Sequence, residues 1–239
     1  LNTLMNDERK IITIEDPVEY QFPGITQISV SSKDGVNSTN FADNLRAVLR
    51  LDPDVVMVGE IRDNDTAKTA LQASLTGHLV LSTFHASSAS AALTRLGDII
   101  GQNPLFVSAI RLVMAQRLIR QLDEATKQPY QPSERELNFI RNVIDTLPEN
   151  IMRPDLTNLT LYKPGASDEN PYGYKGQIAV REQFRMTGEI RDLLETSTGV
   201  VPSQVIEAAA VRSGMRTMLQ DAMLYVIAGY TSLDEVYRV

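Results

Sequence analysis

The sequence contains no cysteine, and this absence excludes disulfide bonds and every metal site built from thiolates. Long apolar runs are also missing, since none approaches the roughly 18 residues that a membrane-spanning helix needs. Basic residues are in the minority, with 23 lysines and arginines against 30 aspartates and glutamates and a formal net charge of −7. This balance argues against a general nucleic-acid binder, whose affinity depends on neutralising phosphates. The 239 residues, 43% apolar and 22% charged, are otherwise typical of a globular protein.

Short apolar strands alternate with helices in the first half of the chain. Residues 55–58 are an uninterrupted apolar run that suits a strand buried on both faces, as in a parallel sheet. Two more such runs and four helical patterns complete this half, with strands predicted at 10–16 and 79–84 and helices at 41–49, 65–75, 88–100 and 104–122. The alternation predicts an α/β fold with a mostly parallel sheet, right-handed crossovers and flanking helices.

The second half has a different character from about residue 123. A polar, proline-containing stretch leads to a capping box that begins at Ser133, and its helix is predicted to end near Leu147. Prolines and glycines make 148–174 a turn-rich insertion with at most one short strand. A half-buried strand and four helices are predicted to close the chain, the strand at 178–184 and the helices at about 187–197, 203–213, 215–228 and 232–238.

The start of the chain has weaker patterns. Leu1, Leu4 and Met5 are at helical spacing and are predicted to be the last turns of a helix that begins upstream. The chain opens without an initiating methionine or a signal-peptide apolar region, so we expect it to be cut from something longer. Residues 18–30 are expected to be extended and irregular, and 33–39 to form a polar loop.

The three predicted strands run into titratable residues. Glu15 comes after the first apolar run, Glu60 after the second and His85 after the third. Neighbouring parallel strands share one carboxyl edge, where open α/β folds bind ligands, so we expect a single cleft there. In such a cleft one carboxylate can act as general base on a water, and a second can hold Mg²⁺ through water. Arginine is suited to clamping phosphate, so the combination predicts phosphoryl transfer.

Each of these residues also has a simpler structural interpretation. Glu60 is then an acid that happens to follow a core strand, and residues 15–17 only end a strand before a proline. His85 is then a hydrogen-bonded structural histidine, and Arg50 pairs with nearby acids. The coincidence of all three strand ends favours the functional interpretation and leaves these alternatives open.

A phosphate-binding loop is missing from these residues. No Gly-x-x-x-x-Gly-Lys-Ser/Thr motif occurs anywhere in the sequence, so nothing in it cradles a triphosphate. A nucleotide site built from this chain alone is therefore expected to be half a site.

Three long motifs, in this order and spacing, resemble the secretion ATPases that power type II secretion and type IV pilus assembly. Residues 11–19 (IITIEDPVE) are similar to the aspartate box of that family, 51–63 (LDPDVVMVGEIRD) to its Walker B segment and 75–85 (LTGHLVLSTFH) to its histidine box. With the closing block GYTSLDEV, the likeness covers nearly the whole chain. It implies a RecA-like ATPase core without its phosphate loop in 1–122, a small inserted subdomain in 123–174 and a C-terminal strand and helical region in 175–239.

The resemblance implies roles for individual residues. Glu60 is the Walker B carboxylate that orients or activates the attacking water, Glu15 lies beside Mg²⁺ and the γ-phosphate, and His85 contacts the γ-phosphate. Mg²⁺ is expected near Glu15 and Glu60 through water. Four further residues are assigned to nucleotide binding, namely Asp16, Arg62, His78 and Arg50. The Walker A loop of the family is expected just upstream of residue 1.

One departure from the family concerns the inserted subdomain. Extension motors usually carry a four-cysteine zinc site there, and the corresponding positions in this sequence are Asp123, Thr126, Ala166 and Glu169. Two oxygen ligands with an alanine and a threonine do not make a tetrahedral zinc site, so we expect the insertion without zinc. Retraction motors lack the insertion, so its presence favours an assembly or secretion motor.

The resemblance implies a homohexameric ATPase that uses ATP and Mg²⁺, and whose activity belongs to the full-length protein rather than to this fragment. It implies a cytoplasmic protein, peripheral at the inner membrane, that works on the inner-membrane platform protein of a pilus or secretion machine. No nucleic-acid partner is expected. One alternative is a non-catalytic assembly or docking module, against which the intact Glu15, Glu60 and His85 argue. Another is a retraction or DNA-transport ATPase of the same superfamily, against which the insertion and the acidic charge argue.

Overall fold

The computed structural model describes residues 1–6, 8–30, 41–101, 103 and 105–238. Contacts divide the chain into two units. The first unit comprises Leu1–Ser87, Ala91–Arg111 and Arg191–Ser203, and the second comprises Ser88–Ser90, Leu112–Ile190 and Gln204–Val239. The polar loop predicted at 33–39 lies outside the described residues.

The first unit is an α/β structure built on a sheet. Its described strands are β1 (Ile11–Glu15), β2 (Thr26–Ser29), β3 (Val55–Glu60) and β4 (Leu79–Thr83). Its described helices include α1 (Phe41–Leu49), α2 (Asn64–Leu75), most of α3 (Ala89–Ile100) and α4 (Leu105–Ala109).

The four strands run parallel in the order β2–β1–β3–β4. β1 pairs with β3 from Ile11↔Val55 to Ile14↔Val58, and the pairing of β3 with β4 starts at Val55↔Leu79. β1 and β3 are largely buried, which explains their continuous apolar sequence. Among the described strands only β3 pairs with β4, so the other edge of β4 is open as far as the described residues go. The mostly parallel α/β sheet predicted from the sequence is confirmed.

Helices α1 and α2 cover this sheet with apolar side chains. Leu45 and Val48 of α1 are buried in one cluster with Ile14 of β1 and Val58 of β3. Helix α2 begins directly after Asp63, whose side chain accepts a hydrogen bond from a backbone N–H of the first helical turn. The Asp63 carboxylate accepts hydrogen bonds from the backbone N–H of Thr66 at 2.8 Å and from its hydroxyl at 2.9 Å. Asp63, three residues after Glu60, therefore serves as a helix cap.

The second unit is built on an antiparallel pair of long strands. β5 (Leu112–Leu122) pairs with β8 (Tyr174–Arg185), and the short strands β6 (Gln128–Tyr130) and β7 (Leu161–Lys163) form a separate pair. The remaining described helices are α5 (Glu134–Asp145), α6 (Gly188–Thr196), α7 (Ser203–Arg212), α8 (Met218–Ile227) and α9 (Leu233–Val236). Most of α6, from Arg191 onward, belongs to the first unit. A core between the strands and α5, α8 and α9 contains Ile119, Ile140, Val180, Met223 and Val236, all nearly inaccessible to solvent.

The helix predicted at 104–122 is wrong over most of its length. Helix α4 ends at Ala109, and Leu112–Leu122 is strand β5. The apolar residues of this stretch fit helical spacing, but its structure is determined by the long ladder with β8, a partner distant in the sequence that no local pattern shows. For the same reason the boundary predicted after residue 122 differs from the unit boundary after Arg111. The division into 1–122, 123–174 and 175–239 stays a prediction.

Smaller differences concern short elements. Asn2–Leu4 is a 3₁₀ turn and not the end of an α-helix. Strands β2 and β6 were not predicted, because they have only four and three residues and largely polar sequences. The other predicted helices and strands are present, with differences at their ends. None of the helices among the described residues has both the length and the apolarity to cross a membrane.

A buried ion pair joins α9 to β5 in the second unit. The Glu235 carboxylate accepts hydrogen bonds from the backbone N–H of Arg120 at 2.8 Å and from the Arg120 guanidinium at 2.6 Å. The Glu235 side chain is 1% exposed. Burial raises the pKa of Glu235, but hydrogen bonds from Arg120 and Arg238 outweigh burial and bring this pKa below its ordinary value.

We expect the second unit to lose stability in acid because of Glu235. A carboxyl whose pKa is lower in the folded state stabilises the fold above its unfolded pKa, here about 4.5, and loses this contribution as the pH falls through its folded pKa. Urea unfolding between pH 7 and pH 3 measures the loss by tyrosine fluorescence, since every tyrosine except Tyr20 lies in this unit.

The variant Glu235→Gln should be less stable than the unaltered protein at pH 7 and should lose less stability on acidification, because it cannot titrate. Glu207→Gln is the matched control, because Glu207 is exposed on α7. An acid-induced loss of the same size in Glu235→Gln and in the unaltered protein would show that Glu235 does not cause it.

Candidate active site

Three of the predicted site residues lie at the carboxyl edge of the parallel sheet. Glu15 is the last residue of β1 and Glu60 the last residue of β3, and these strands are neighbours. His85 comes two residues after the end of β4, the other neighbour of β3. Parallel pairing therefore brings two acids and an imidazole to the edge where open α/β sheets bind ligands.

Gly59 allows the two acidic strand ends to approach each other closely. A Cβ atom at this position would lie 3.0 Å from the carbonyl oxygen of Ile14 and 3.3 Å from the Cα of Glu15. On the other side of β3 the ladder with β4 shifts its register, and the Thr83 hydroxyl donates to the Gly59 carbonyl at 2.5 Å. The end of β3 is thus held from both sides, and this fixes the point at which Glu60 leaves the strand.

The Glu60 carboxylate has a polar partner on each oxygen. Arg62 contacts Oε1, and Nε2 of His85 lies 2.9 Å from Oε2. The Arg62 guanidinium also lies 3.5 Å from Oδ2 of Asp16, the residue after β1. The Glu60 side chain is 12% exposed, whereas Arg62 is 57% and His85 85% exposed. An incoming ligand therefore meets the arginine and the imidazole before it meets the carboxylate.

The Glu15 carboxylate is held by two residues that the sequence did not single out. Thr13 donates its hydroxyl to Oε1 of Glu15 at 2.5 Å, and Gln27 donates its side-chain N–H to the same oxygen at 3.0 Å. Thr13 is two residues before Glu15 on β1, so alternation along a strand was a usable signal for it. Gln27 lies on β2, and its role depends on a strand that was not predicted.

Arg50 and His78 lie at the opposite edge of the sheet. Arg50 comes between α1 and the start of β3, and His78 immediately precedes β4. These strands carry Glu60 and His85 at their other ends. Nδ1 of His78 lies 3.0 Å from the carbonyl oxygen of Ala73 near the end of α2. The structure does not bring Arg50 and His78 to the site, and their assignment to nucleotide binding stays a prediction without support from this geometry.

The loop that carries His85 has one further contact that the sequence did not indicate. Arg95 of α3 donates to the backbone carbonyl of His85 at 3.0 Å, and its guanidinium lies 5.6 Å from the centre of the Phe84 ring. Arg95 therefore holds the backbone of the histidine while the imidazole remains exposed.

The donor set at this edge suits Mg²⁺ that is completed by a nucleotide. Mg²⁺ prefers oxygen ligands and usually takes one or two carboxylates together with phosphate oxygens and water. Oε2 of Glu15 has no hydrogen-bond partner among the described residues, so it remains available to a metal-bound water. Within the described part of the chain no group of three or more His, Cys, Asp or Glu residues forms a cage for a metal ion. The chemistry fits an ion that arrives with its phosphates.

The two ends of the insertion predicted at 123–174 are joined by direct polar contacts. The Asp123 carboxylate accepts a hydrogen bond from the Asn170 side chain at 2.9 Å, and the Asp123 backbone N–H donates to the carbonyl of Gly173 at 3.0 Å. The hydrogen bond from Asn170 holds the pKa of Asp123 below its ordinary value. A Cβ on Gly165 would collide with the carbonyl oxygen of Thr126, so the two ends touch through their backbones.

A protein-family model described as Type II/IV secretion system protein matches residues 1–238. The chain belongs to this secretion family. The type II secretion system protein E of Xanthomonas campestris pv. campestris is 40% identical over 245 residues, an alignment that covers 100% of this chain and 40% of that protein. The type IV pilus assembly ATPase PilB of Thermus thermophilus is 37% identical, with 99% of this chain and 25% of that protein covered. The resemblance inferred from the three motifs is confirmed.

Among solved structures, the pilus retraction motor PilT with bound ADP aligns with 96% of this secretion-family chain and 52% of the PilT chain. The TM-score is 0.60 and the sequence identity 26%. The chain spans less than half the length of the curated relatives described above.

We expect Gly59→Ala to destabilise the first unit and to displace Glu60. The added methyl group meets the backbone of β1 at 3.0 Å, and overpacking of this kind typically costs about 1–3 kcal/mol. Gly97→Ala is the matched control in helix α3, where the new Cβ meets only the Phe106 ring at 3.8 Å. Alanine should stabilise that helix by about 0.5–1 kcal/mol. Urea unfolding followed by circular dichroism measures both, and equal stabilities would contradict the steric argument.

Proposed function

We propose that this chain carries the hydrolytic residues of an ATPase motor that drives type II protein secretion or type IV pilus assembly. The observation that supports this most strongly is the convergence of Glu15, Glu60 and His85 at one edge of a parallel sheet. The family supports it as well, since its members include a type II secretion protein and a pilus assembly ATPase. Phosphoryl transfer needs positioning and electrostatic stabilisation above all, and rigid strand ends supply positioning.

Glu60 is proposed to orient or activate the attacking water. Arg62 contacts Oε1 of Glu60 and His85 lies within hydrogen-bond distance of Oε2, so the departure of either partner gives a water more room at the carboxylate. A phosphate group competes for both partners, because a guanidinium binds phosphate in bidentate fashion and an imidazole donates to a phosphate oxygen. In this proposal ATP binding releases the Glu60 carboxylate at the moment when the γ-phosphate is in place.

Glu15 is proposed to bind a water of Mg²⁺ through Oε2, with Asp16 beside it in contact with Arg62. When bound, Mg²⁺ neutralises charge on the β- and γ-phosphates. The protein contributes the orientation of the Glu15 carboxylate. We further propose that the inserted segment holds no zinc. The engagement of Asp123 by Asn170 supports this, because that carboxylate already has a partner.

The phosphate cradle of the proposed site comes from outside these 239 residues, because the sequence contains no glycine-rich phosphate loop. The open edge of β4 supports this proposal. Leu79 on that strand is 47% exposed, and of the described strands only β3 pairs with β4. An open edge with an exposed apolar side chain offers a place where a further strand completes the sheet.

We propose that the full-length protein is a homohexamer, cytoplasmic and peripheral at the inner membrane, that acts on the platform protein of its machine. Family membership supports these statements. The net charge of −7 supports the absence of a nucleic-acid partner.

A retraction motor is the competing proposal within the superfamily, and the likeness to the PilT structure is the observation that favours it. Identities of 40% and 37% to a secretion protein and an assembly ATPase, against 26% to PilT, favour the secretion or assembly role.

The variant Glu60→Gln of the full-length protein is expected to bind ATP and to lose hydrolysis by about 10²–10⁴-fold, because an amide cannot accept the proton of the attacking water. ATP binding is measured by calorimetry, and hydrolysis is measured by the release of phosphate. Glu207→Gln, at an exposed position, is the control. Near-normal turnover by Glu60→Gln would refute its assignment. Absence of hydrolysis by the unaltered full-length protein would instead favour a non-catalytic docking module.

The 239-residue chain by itself is expected not to hydrolyse ATP, since it contains no glycine-rich loop to cradle the triphosphate. The chain is incubated with ATP and Mg²⁺ while phosphate release is followed, and circular dichroism shows that it is folded. Hydrolysis that requires Mg²⁺ and disappears in Glu60→Gln would contradict the proposal that the cradle lies elsewhere.

A further inference from the structure

The parallel register of β1 and β2 places three polar side chains together. Thr13 of β1 lies opposite Gln27 of β2, and Glu15 opposite Ser29. Thr13 and Glu15 are two residues apart on one strand, so their side chains point to the same face of the sheet. Gln27 is therefore the cross-strand neighbour of Thr13 and the diagonal neighbour of Glu15.

Both donors of this group act on a single oxygen of the Glu15 carboxylate. The Thr13 hydroxyl lies 2.5 Å and the Gln27 side-chain nitrogen 3.0 Å from Oε1. Thr13 is completely buried, so no water can take the place of its hydroxyl. Oε2 has no such partner among the described residues. The two oxygens of one carboxylate are therefore in different situations, one fixed by the protein and the other available to a ligand.

The Gln27 amide has a single favourable orientation. Its nitrogen also donates to the backbone carbonyl of Tyr20 at 2.9 Å, and its oxygen accepts from the backbone N–H of Phe22 at 2.8 Å. Both N–H groups and the oxygen of the amide are thus engaged. Rotation of the amide by half a turn would set its oxygen against two acceptors and its nitrogen against a donor. The hydrogen bonds of Gln27 thus connect the loop between β1 and β2 to the carboxylate of Glu15.

We infer that Thr13 and Gln27 are positioning residues for Glu15, which fix Oε1 of its carboxylate so that Oε2 faces the Mg²⁺-bound water and the phosphates. This inference rests on the proposed function, because it gives Glu15 a part in ATP hydrolysis. Gln27 also couples Glu15 to the backbone of the loop at Tyr20 and Phe22, so that the orientation of the carboxylate and the conformation of the loop depend on each other.

The kinetic test uses the full-length protein with one donor removed at a time. Gln27→Met and Thr13→Val remove a donor with little change in shape, and loss of a group that orients a metal-site carboxylate typically costs about 10–100-fold in activity. We expect kcat for ATP hydrolysis to fall by this factor while KM for ATP changes little, because in this inference Thr13 and Gln27 act on the nucleotide only through Glu15. Thr13→Ser keeps the hydroxyl and should retain kcat. Gln72→Met, at an exposed position of α2, is the matched control.

A second measurement does not depend on hydrolysis. Hydrogen exchange of the full-length protein, read on peptides that contain Phe22, reports whether the Phe22 N–H is bonded to Gln27. We expect faster exchange in Gln27→Met and also in Glu15→Ala, where Gln27 is intact but has lost the carboxylate that orients it. If Gln27 served the loop alone, Glu15→Ala would leave the exchange of Phe22 unchanged.

The outcomes separate this inference from the proposed function. Unchanged kcat in Gln27→Met and Thr13→Val, in an enzyme that hydrolyses ATP, would overturn the inference and leave the function standing. Unchanged exchange of Phe22 in Glu15→Ala would overturn the coupling. If the unaltered full-length protein hydrolyses no ATP, the proposed function fails, and the exchange experiment still decides whether Gln27 orients Glu15. If Gln27→Met does not fold, the pair Thr13→Val and Thr13→Ser decides, since equal kcat values in the pair would contradict the inference.

Discussion

The close approach of β3 to β1 at Gly59 is the contact on which the geometry of the site depends. Glu15 and Glu60 end neighbouring strands, and their separation is set by backbone spacing rather than by flexible side chains. Parallel pairing aligns the carboxyl ends of strands, so His85 reaches Glu60 from the short segment that follows β4, whose backbone Arg95 holds. A methyl group at Gly59 would widen this spacing at the point where it matters most for the two acids.

The two carboxylates have partners of different kinds. Glu60 is held by Arg62 and His85, which are exposed and have a chemical affinity for phosphate. Glu15 is held by Thr13 and by the amide of Gln27, which belong to the sheet and do not attract phosphate in preference to a carboxylate. A nucleotide would therefore change the surroundings of Glu60 and leave those of Glu15 in place. The contacts of Glu60 can thus be exchanged for contacts with a ligand, whereas those of Glu15 belong to the sheet, and this difference agrees with the roles proposed for the two acids.

The sequence predicted the features that depend on local patterns, and it did not predict those that depend on contacts between segments distant in the sequence. Glu60 was found because a continuous apolar run identifies a buried parallel strand, and such a strand delivers its last residue to the ligand edge. Gln27 was missed because β2 is too short and polar to show a pattern. The residues of strand β5 predict a helix by their spacing, because the pairing with β8 that makes them a strand involves a segment far away in the sequence.

Arg50 and His78 both precede the strands whose ends form the site, and their assignment to nucleotide binding stays a prediction. Their place at the opposite edge follows from the order of residues alone. Contacts between distant segments, by contrast, required the structure, and the polar groups around Glu15 are of this second kind.

The open edge of β4 has a consequence for work with the isolated chain. A strand edge with free N–H and C=O groups pairs with any extended segment that reaches it, and another copy of the same chain at high concentration is such a partner. Two copies of the 239-residue chain that pair through this one edge would form a closed dimer, whose fraction rises with concentration. If a further strand completes the sheet in the full-length protein, as proposed above, that strand would cover the same edge, and the dimer would then not report on the assembly of the full-length protein.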